Sequence, residues 1–130
     1  MAALAPVFAH IDQNAGKIVA DLQELCRQPS ISTTHVGVEE MAALVQRRLE
    51  RTGFKATLHR TQGHPIVTGI HPGAGKKTLL FYNHYDVQPV EPLSEWTSPP
   101  FEARVVDGHV IARGSTDNKG NIVSRLAAFE

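Results

Sequence analysis

The spacing of the apolar residues changes along this chain, from a helical period before Gly53 to a strand period after it. Before Gly53 they recur at helical spacing over residues 7–27, which Pro29 terminates, and over residues 37–52. After Gly53 they alternate with polar residues, as in half-buried strands. A chain with this order is neither all-helical nor all-strand. We predict an α/β sandwich with a mixed sheet.

The sequence after Gly53 predicts five strands before a last helix. The third is a nearly continuous apolar run, as expected for a strand buried on both faces. A hairpin should follow around Asp107–Gly108, because Asp-Gly favours tight two-residue turns. The predicted segments are strands at 54–59, 66–70 and 78–82, a hairpin with strands at 101–105 and 110–112, and a helix at 120–130.

The last helical pattern reaches Glu130 without a cap or a turn signal. We therefore expect a truncated polypeptide.

Charge and cysteine content narrow the class of protein. The 130 residues carry 13 basic and 13 acidic side chains, so the net charge is zero. The chain therefore lacks the excess of positive charge that is typical of proteins that bind nucleic acid or an anionic membrane. No apolar run approaches the roughly 20 residues of a membrane span. Cys26 is the only cysteine, which excludes an internal disulfide and fits a reducing compartment. We expect a cytoplasmic protein with neither nucleic acid nor membrane as its partner.

The segment 83–89 (NHYDVQP) contains the first candidate site. It follows the predicted buried strand, and ligand sites in open α/β sheets gather at the carboxyl ends of strands. His84 and Asp86 are two positions apart, so an extended backbone turns both side chains to the same side. A histidine that binds zinc usually donates its other ring N–H to a carboxylate. For an isolated pair, however, a surface histidine beside a turn aspartate is the commoner arrangement.

The segment 112–120 (ARGSTDNKG) contains the second candidate. A loop bracketed by glycines presents Asp117 just before the last helix, where the helix dipole favours a carboxylate. Taken alone, the pattern favours Asp117 or Asn118 as a helix cap.

Taken together, the two segments resemble a known family of zinc metallopeptidases. That family includes carboxypeptidase G, aminoacylase, acetylornithine deacetylase, succinyl-diaminopimelate desuccinylase and the carnosine-type dipeptidases. The resemblance rests on NHYDVQP, Trp96, the Pro-Pro-Phe at 99–101, DGHVIARGSTDNKG, and the step of 33 residues from His84 to Asp117. The segment 25–32 (LCRQPSIS) also looks like the end of that family's N-terminal helix.

The resemblance implies a fold and a domain organisation. The fold would be the three-layer α/β catalytic domain of zinc aminopeptidases. Residues 1–130 would form its N-terminal portion, and the lid and dimerisation domain and the remaining catalytic segments would be absent. The intact protein would then be a possible homodimer.

The resemblance also implies roles for three residues. His84 would ligate one zinc ion, Asp117 would bridge two zinc ions, and Asp86 would be the carboxylate beside His84 that is counted as catalytic. The Asp117–Asn118 peptide bond, which is cis in several relatives, is a candidate cis bond. Asn118 departs from the second acidic residue of many relatives, Asn83 from their glycine, and Ala112 from their usual glycine. None of these departures removes a ligand.

The implied activity is hydrolysis of the peptide bond of a small peptide. A pair of zinc ions can share a hydroxide, lower its pKa and polarise the amide carbonyl. The wording HYDVQP favours a dipeptidase, with an N-acyl amino acid deacylase as the alternative and a non-enzymatic truncated fragment as the alternative of another class. The general base and the remaining ligands of the family would lie beyond Glu130. We therefore expect this chain alone to be inactive.

Overall fold

Helices and strands alternate in groups along the chain, as the two apolar periods predict. The structure is a computed structural model and describes residues 4–130. Its mixture of helices and strands confirms the α/β class. The elements are α1 (Ala5–Arg27), α2 (Val38–Arg51), β1 (Lys55–His59), β2 (Ile66–Ile70), β3 (Arg104–Val106), β4 (His109–Ile111) and α3 (Lys119–Ala127), with short 3₁₀ turns at Ser32–Thr34 and Leu93–Glu95.

The first two helices begin and end where the sequence provides signals. Helix α1 starts with a proline in its first turn, whose fixed φ suits a helix start. It ends two residues before Pro29, because proline lacks the N–H that would continue the helix. Helix α2 has Glu39 in its first turn and Arg51 in its last, so both charges complement the helix dipole. Gly53, at φ 85°, turns the chain out of α2 in a left-handed conformation that suits glycine.

The strands form two separate antiparallel pairs. Strand β1 pairs with β2 from Lys55 opposite Ile70 to His59 opposite Ile66. Strands β3 and β4 form the predicted hairpin around Asp107–Gly108, and both turn residues have positive φ, as a tight hairpin of this kind requires.

The predicted strand at 78–82 is wrong for the part of the chain that the structure describes. The segment forms no strand, and Leu80 and Tyr82 are 88% and 81% exposed. A strand buried on both faces needs neighbours in its sheet and layers above and below it. Within residues 4–130, β2 pairs with β1 and nothing pairs with this segment. The single mixed sheet is therefore not formed by these residues.

The predicted last helix also ends early, at Ala127 rather than at Glu130. Phe129 follows the helix and contacts the aromatic rings of Phe54, which precedes β1, and His71, which follows β2. Its ring centroid lies 4.8 Å from that of Phe54 and 5.4 Å from that of His71. Packing against these rings replaces the last turn of the predicted helix.

The core is formed by residues of all three helices. Its buried residues are Leu25, Met41, Leu44, Val45, Ile122 and Val123. Cys26 is fully buried beside Ala103 and Ala112. Burial raises the pKa of its thiol to about 11. Among the described residues, no helix combines the length and the apolarity needed to cross a membrane.

A buried arginine joins α1 to α2. Arg48 is 7% exposed and donates to Asp21 Oδ1 at 2.6 Å and to Glu24 Oε2 at 2.5 Å. Burial raises the pKa of Asp21, but the hydrogen bonds from Arg48 and Lys17 outweigh this effect and hold the pKa below its usual 3.8. Asp21 therefore stays charged at a lower pH in the folded chain than in the unfolded chain.

This ion pair predicts a specific acid sensitivity. Because the folded pKa of Asp21 is lowered, its stabilisation is complete above the unfolded pKa of about 4 and is lost as the pH falls through the folded pKa. We expect Arg48→Met to lower the free energy of unfolding by about 2 kcal/mol at neutral pH. We also expect it to flatten the decline of that free energy below about pH 4.

Urea unfolding at a series of pH values, followed by circular dichroism, measures both effects. The matched control is Arg60→Met, since Arg60 pairs with Glu39 at 3.4 Å on the surface. We expect the control to follow the wild type at every pH. Identical acid slopes for Arg48→Met and the wild type would contradict the assignment.

Candidate metal centre

The two candidate segments meet in one cleft. His84 Nε2 lies 2.9 Å from Asp117 Oδ1, although 33 residues separate them in the sequence. Both residues line a cleft of about 270 Å³ whose walls come from the segments 84–88 and 112–117. The Asp117 side chain is 80% exposed and that of His84 is 34% exposed. Both groups are therefore accessible to a small ligand that enters the cleft.

Asp86 lies behind His84, on the other ring nitrogen. His84 Nδ1 is 3.2 Å from the backbone oxygen of Asp86 and 3.2 Å from its Oδ1. When Nδ1–H donates to these oxygens, the lone pair of Nε2 faces Asp117. The ring is thus held between two aspartates, with its Nε2 side towards the cleft.

The charges around His84 favour a cation at this place. Partial burial lowers the pKa of His84, but hydrogen bonds to the Asp86 backbone and to the Asp117 carboxylate outweigh burial and raise the pKa above 6.5. His84 Nε2 and Asp117 Oδ1 can share a proton through their lone pairs. The same lone pairs are suited to bind a divalent metal ion.

The types of donor atom in the cleft fit zinc, but the cleft has fewer of them than a catalytic zinc ion needs. Zinc takes imidazole nitrogen and carboxylate oxygen, and a catalytic zinc has three protein ligands. Over residues 4–130, no group of three or more histidine, cysteine, aspartate or glutamate side chains converges on one point. His84 and Asp117 therefore fit as two ligands of a centre that needs more.

The Asp117–Asn118 peptide bond is cis, as predicted. Asn118 occupies the N-cap position of α3, but no side chain there makes a capping hydrogen bond. The capping alternative that the sequence left open is therefore not realised. The carboxylate of Asp117 instead faces His84.

The His84 segment is fixed to the chain that leaves α1. Ser30 Oγ donates to the backbone oxygen of Tyr85 at 2.7 Å, and Val87 N–H donates to the backbone oxygen of Ser30 at 2.8 Å. The Tyr85 ring packs against the core, and its hydroxyl donates to the backbone oxygen of Pro65 at 2.5 Å. Burial raises the pKa of Tyr85 to about 12, so it remains a donor at neutral pH.

The Asp117 loop approaches this segment closely at Gly114. Its φ is 88°, and a Cβ there would lie 2.8 Å from Cγ1 of Val87. Arg113 bridges the same two stretches, because its Nη2 donates to the backbone oxygen of Pro89 at 2.9 Å. The Arg113 guanidinium also lies 5.1 Å from the ring centroid of Trp96, so Trp96 packs against this loop.

Comparison with known proteins supports the resemblance. The sequence profile of peptidase family M20/M25/M40 matches residues 80–130, the stretch that contains His84, Asp86 and Asp117. A cysteinylglycine-S-conjugate dipeptidase of Corynebacterium striatum is 33% identical over 128 residues. The Cys-Gly metallodipeptidase dug1 of Schizosaccharomyces pombe is 32% identical over 142 residues. The crystal structure of the M20 family metallo-carboxypeptidase Sso-CP2 from Sulfolobus solfataricus matches with a TM-score of 0.82 at 46% identity.

The chain belongs to peptidase family M20. The three matches cover 92%, 98% and 86% of this M20 chain, but 28%, 30% and 26% of the respective relatives. The chain therefore spans less than a third of the length of each of these relatives.

Lys119 is a structural residue of this M20 chain that the sequence analysis missed. It is fully buried, and its Nζ donates to the backbone oxygen of Leu25 at 3.0 Å and to that of Gln28 at 2.7 Å. These contacts satisfy carbonyls at the end of α1 that lack helical partners. Burial lowers the pKa of Lys119 to about 8. A sequence signal existed, since a lysine in the first turn of a helix opposes the dipole.

We expect Lys119→Met to lower the free energy of unfolding by about 2 kcal/mol. Methionine fills similar space, but the two carbonyls at the end of α1 lose their donor while they remain buried. Urea unfolding at neutral pH, followed by circular dichroism, measures the loss. Lys55→Met is the matched control, because Lys55 is exposed. Equal free energies of unfolding for the two variants would show that the buried contacts of Lys119 contribute nothing.

Proposed function

We propose that this chain supplies part of a zinc centre that hydrolyses the peptide bond of a dipeptide. In this proposal, His84 ligates one zinc ion, Asp117 bridges two zinc ions, and Asp86 orients His84. The main support is the distance of 2.9 Å between His84 Nε2 and Asp117 Oδ1 in an open cleft. Further support comes from the relatives, which include a Cys-Gly metallodipeptidase and a metallo-carboxypeptidase.

Each of the three residues has a distinct task in this proposal. Asp86 accepts a hydrogen bond from Nδ1–H of the His84 ring, which leaves the lone pair of Nε2 free to bind a metal ion. Asp117 has two carboxylate oxygens, so it can bind two cations, which a histidine cannot do. Asp86 and Asp117 together bring two negative charges, which offset the charge of a divalent cation. A bound zinc pair supplies Lewis acidity towards the amide carbonyl and lowers the pKa of water.

The proposed substrate is a small peptide. Two of the relatives named above are dipeptidases, and both are named for Cys-Gly or a cysteinylglycine conjugate. The N-acyl amino acid deacylase remains the alternative within the same chemistry. The proposal also includes a three-layer sandwich with a mixed sheet for the catalytic domain, and a cytoplasmic location, which the lone Cys26 favours.

A second candidate is a non-enzymatic chain that binds one metal ion weakly. Among the described residues that line the cleft, Asp86 and Asp117 are the carboxylates, and the proposal already assigns both. No other carboxylate of the cleft is then left to act as a general base. This observation favours metal binding without turnover for these residues by themselves.

Zinc content tests the metal role. We expect the wild-type chain to retain zinc after dialysis and His84→Ala to lose it, because the substitution removes one of the two proposed ligands. The matched control is His109→Ala, since His109 is exposed on β4 and does not line the cleft. Elemental analysis of the three proteins gives the result. Equal zinc in all three would contradict the assignment of His84.

Hydrolysis assays with the same three proteins separate the candidate functions. Turnover of Cys-Gly that depends on His84 supports the dipeptidase. Turnover of an N-acetyl amino acid instead supports the deacylase. Zinc retention that depends on His84, without turnover of either substrate, is the outcome expected both of the second candidate and of a chain that supplies only part of the centre.

A further inference from the structure

The chain that leaves α1 makes a part-buried contact with the backbone beside His84. We propose that Ser30 is a positioning residue for the metal centre, because its hydroxyl fixes the peptide group between Tyr85 and Asp86. The inference rests on the proposed function, since it concerns the residues assigned there as a ligand and its orienting carboxylate.

The contact is short, part-buried and made in both directions. Ser30 is 0% exposed, and its Oγ lies 2.7 Å from the backbone oxygen of Tyr85. The backbone oxygen of Ser30 accepts from Val87 N–H at 2.8 Å, and Ile31 forms a parallel bridge with Val87. The backbone on both sides of Asp86 is therefore held by the same two residues after α1.

The link to His84 runs through Asp86. The carbonyl of Tyr85 belongs to the peptide group that leads into Asp86, so its orientation sets the direction in which Asp86 continues. Both oxygens of Asp86 that face His84 Nδ1 lie at 3.2 Å, which is near the limit for a hydrogen bond. Without the Ser30 hydroxyl, the Tyr85 carbonyl loses its donor in a part-buried place. A small rotation of the peptide group would then break both contacts to His84.

A purely structural role of Ser30 is distinguishable from a positioning role, because the chain contains a matched hydroxyl. Thr52 is 8% exposed, and its Oγ1 donates to the backbone oxygen of Arg48 at 2.7 Å. The bond has the same type and length as that of Ser30, but it closes the end of α2 and does not border the cleft. Thr52→Val removes this hydroxyl and keeps the shape of the side chain.

The test is a titration of the full chain with cobalt(II), which reports binding through its visible absorption. The proteins are the wild type, Ser30→Ala, Ser30→Thr, Thr52→Val and His84→Ala. We expect Ser30→Ala to raise the dissociation constant for cobalt about tenfold and to change the absorption spectrum of the bound ion. Ser30→Thr retains the hydroxyl and should bind within about threefold of the wild type. Thr52→Val should bind like the wild type, although it lowers the thermal unfolding midpoint about as much as Ser30→Ala does.

The outcomes separate the two proposals. If Ser30→Ala and Thr52→Val shift the dissociation constant equally, Ser30 acts through stability alone, and its positioning role is overturned while the metal centre stands. If the wild type and His84→Ala bind cobalt equally, the metal centre fails and the role of Ser30 fails with it. If Ser30→Ala does not fold, Ser30→Cys takes its place, because a thiol keeps the size but donates weakly. Binding by Ser30→Cys that equals the wild type then overturns the proposal.

Discussion

The end of helix α1 is the place on which the geometry of the cleft depends. A helix ends with carbonyl groups that have no partner within the helix, and burial makes each of them costly unless a donor arrives from elsewhere. In this chain the donor for Leu25 and Gln28 is Lys119, which directly follows the Asp117 loop. Two residues further along, Ser30 holds the stretch that carries His84. Both halves of the cleft are therefore fixed to one short piece of backbone.

This common attachment explains how groups far apart in sequence stay within 2.9 Å of each other. Among the described residues, neither loop contains a named strand, and the bridge between Ile31 and Val87 is the strand-type pairing that either loop makes. The Asp117 loop gains further precision at Gly114, where a side chain would collide with Val87, and at Arg113, which links it to Pro89. The site is thus held by hydrogen bonds to backbone groups, which tolerate little displacement.

The parts of the structure that could be predicted from the sequence are those decided by local physics. Helical period, proline and glycine signals placed α1 and α2, and an Asp-Gly turn placed the hairpin. The apolar run at 78–82 was misjudged because burial depends on neighbouring strands, which a local pattern cannot supply. Spacing alone left Asp117 as a helix cap. Only the joint resemblance of both segments to a family paired it with His84.

The supporting contacts could not be predicted for a related reason. Lys119 bonds to a carbonyl 94 positions away, and Ser30 to one 55 positions away. No periodicity in a sequence reports which buried carbonyl will lack a donor, because that depends on how distant segments pack. The lysine in the first turn of α3 was a visible conflict with the helix dipole, and such conflicts mark positions where a distant contact overrides the local preference.

The exposed run at 78–82 has a consequence for how the protein behaves in solution. Leu79, Leu80 and Tyr82 are exposed, and among residues 4–130 their segment pairs with no strand. Backbone groups without a strand partner can pair with a strand of another molecule. Such a stretch promotes β-pairing between molecules, so aggregation is expected to increase with protein concentration. Lys76 and Lys77 stand directly before it as gatekeepers, because adding strands would bring their positive charges together. We therefore expect the solubility of the chain to depend on the charges of Lys76 and Lys77, which directly precede this exposed apolar segment.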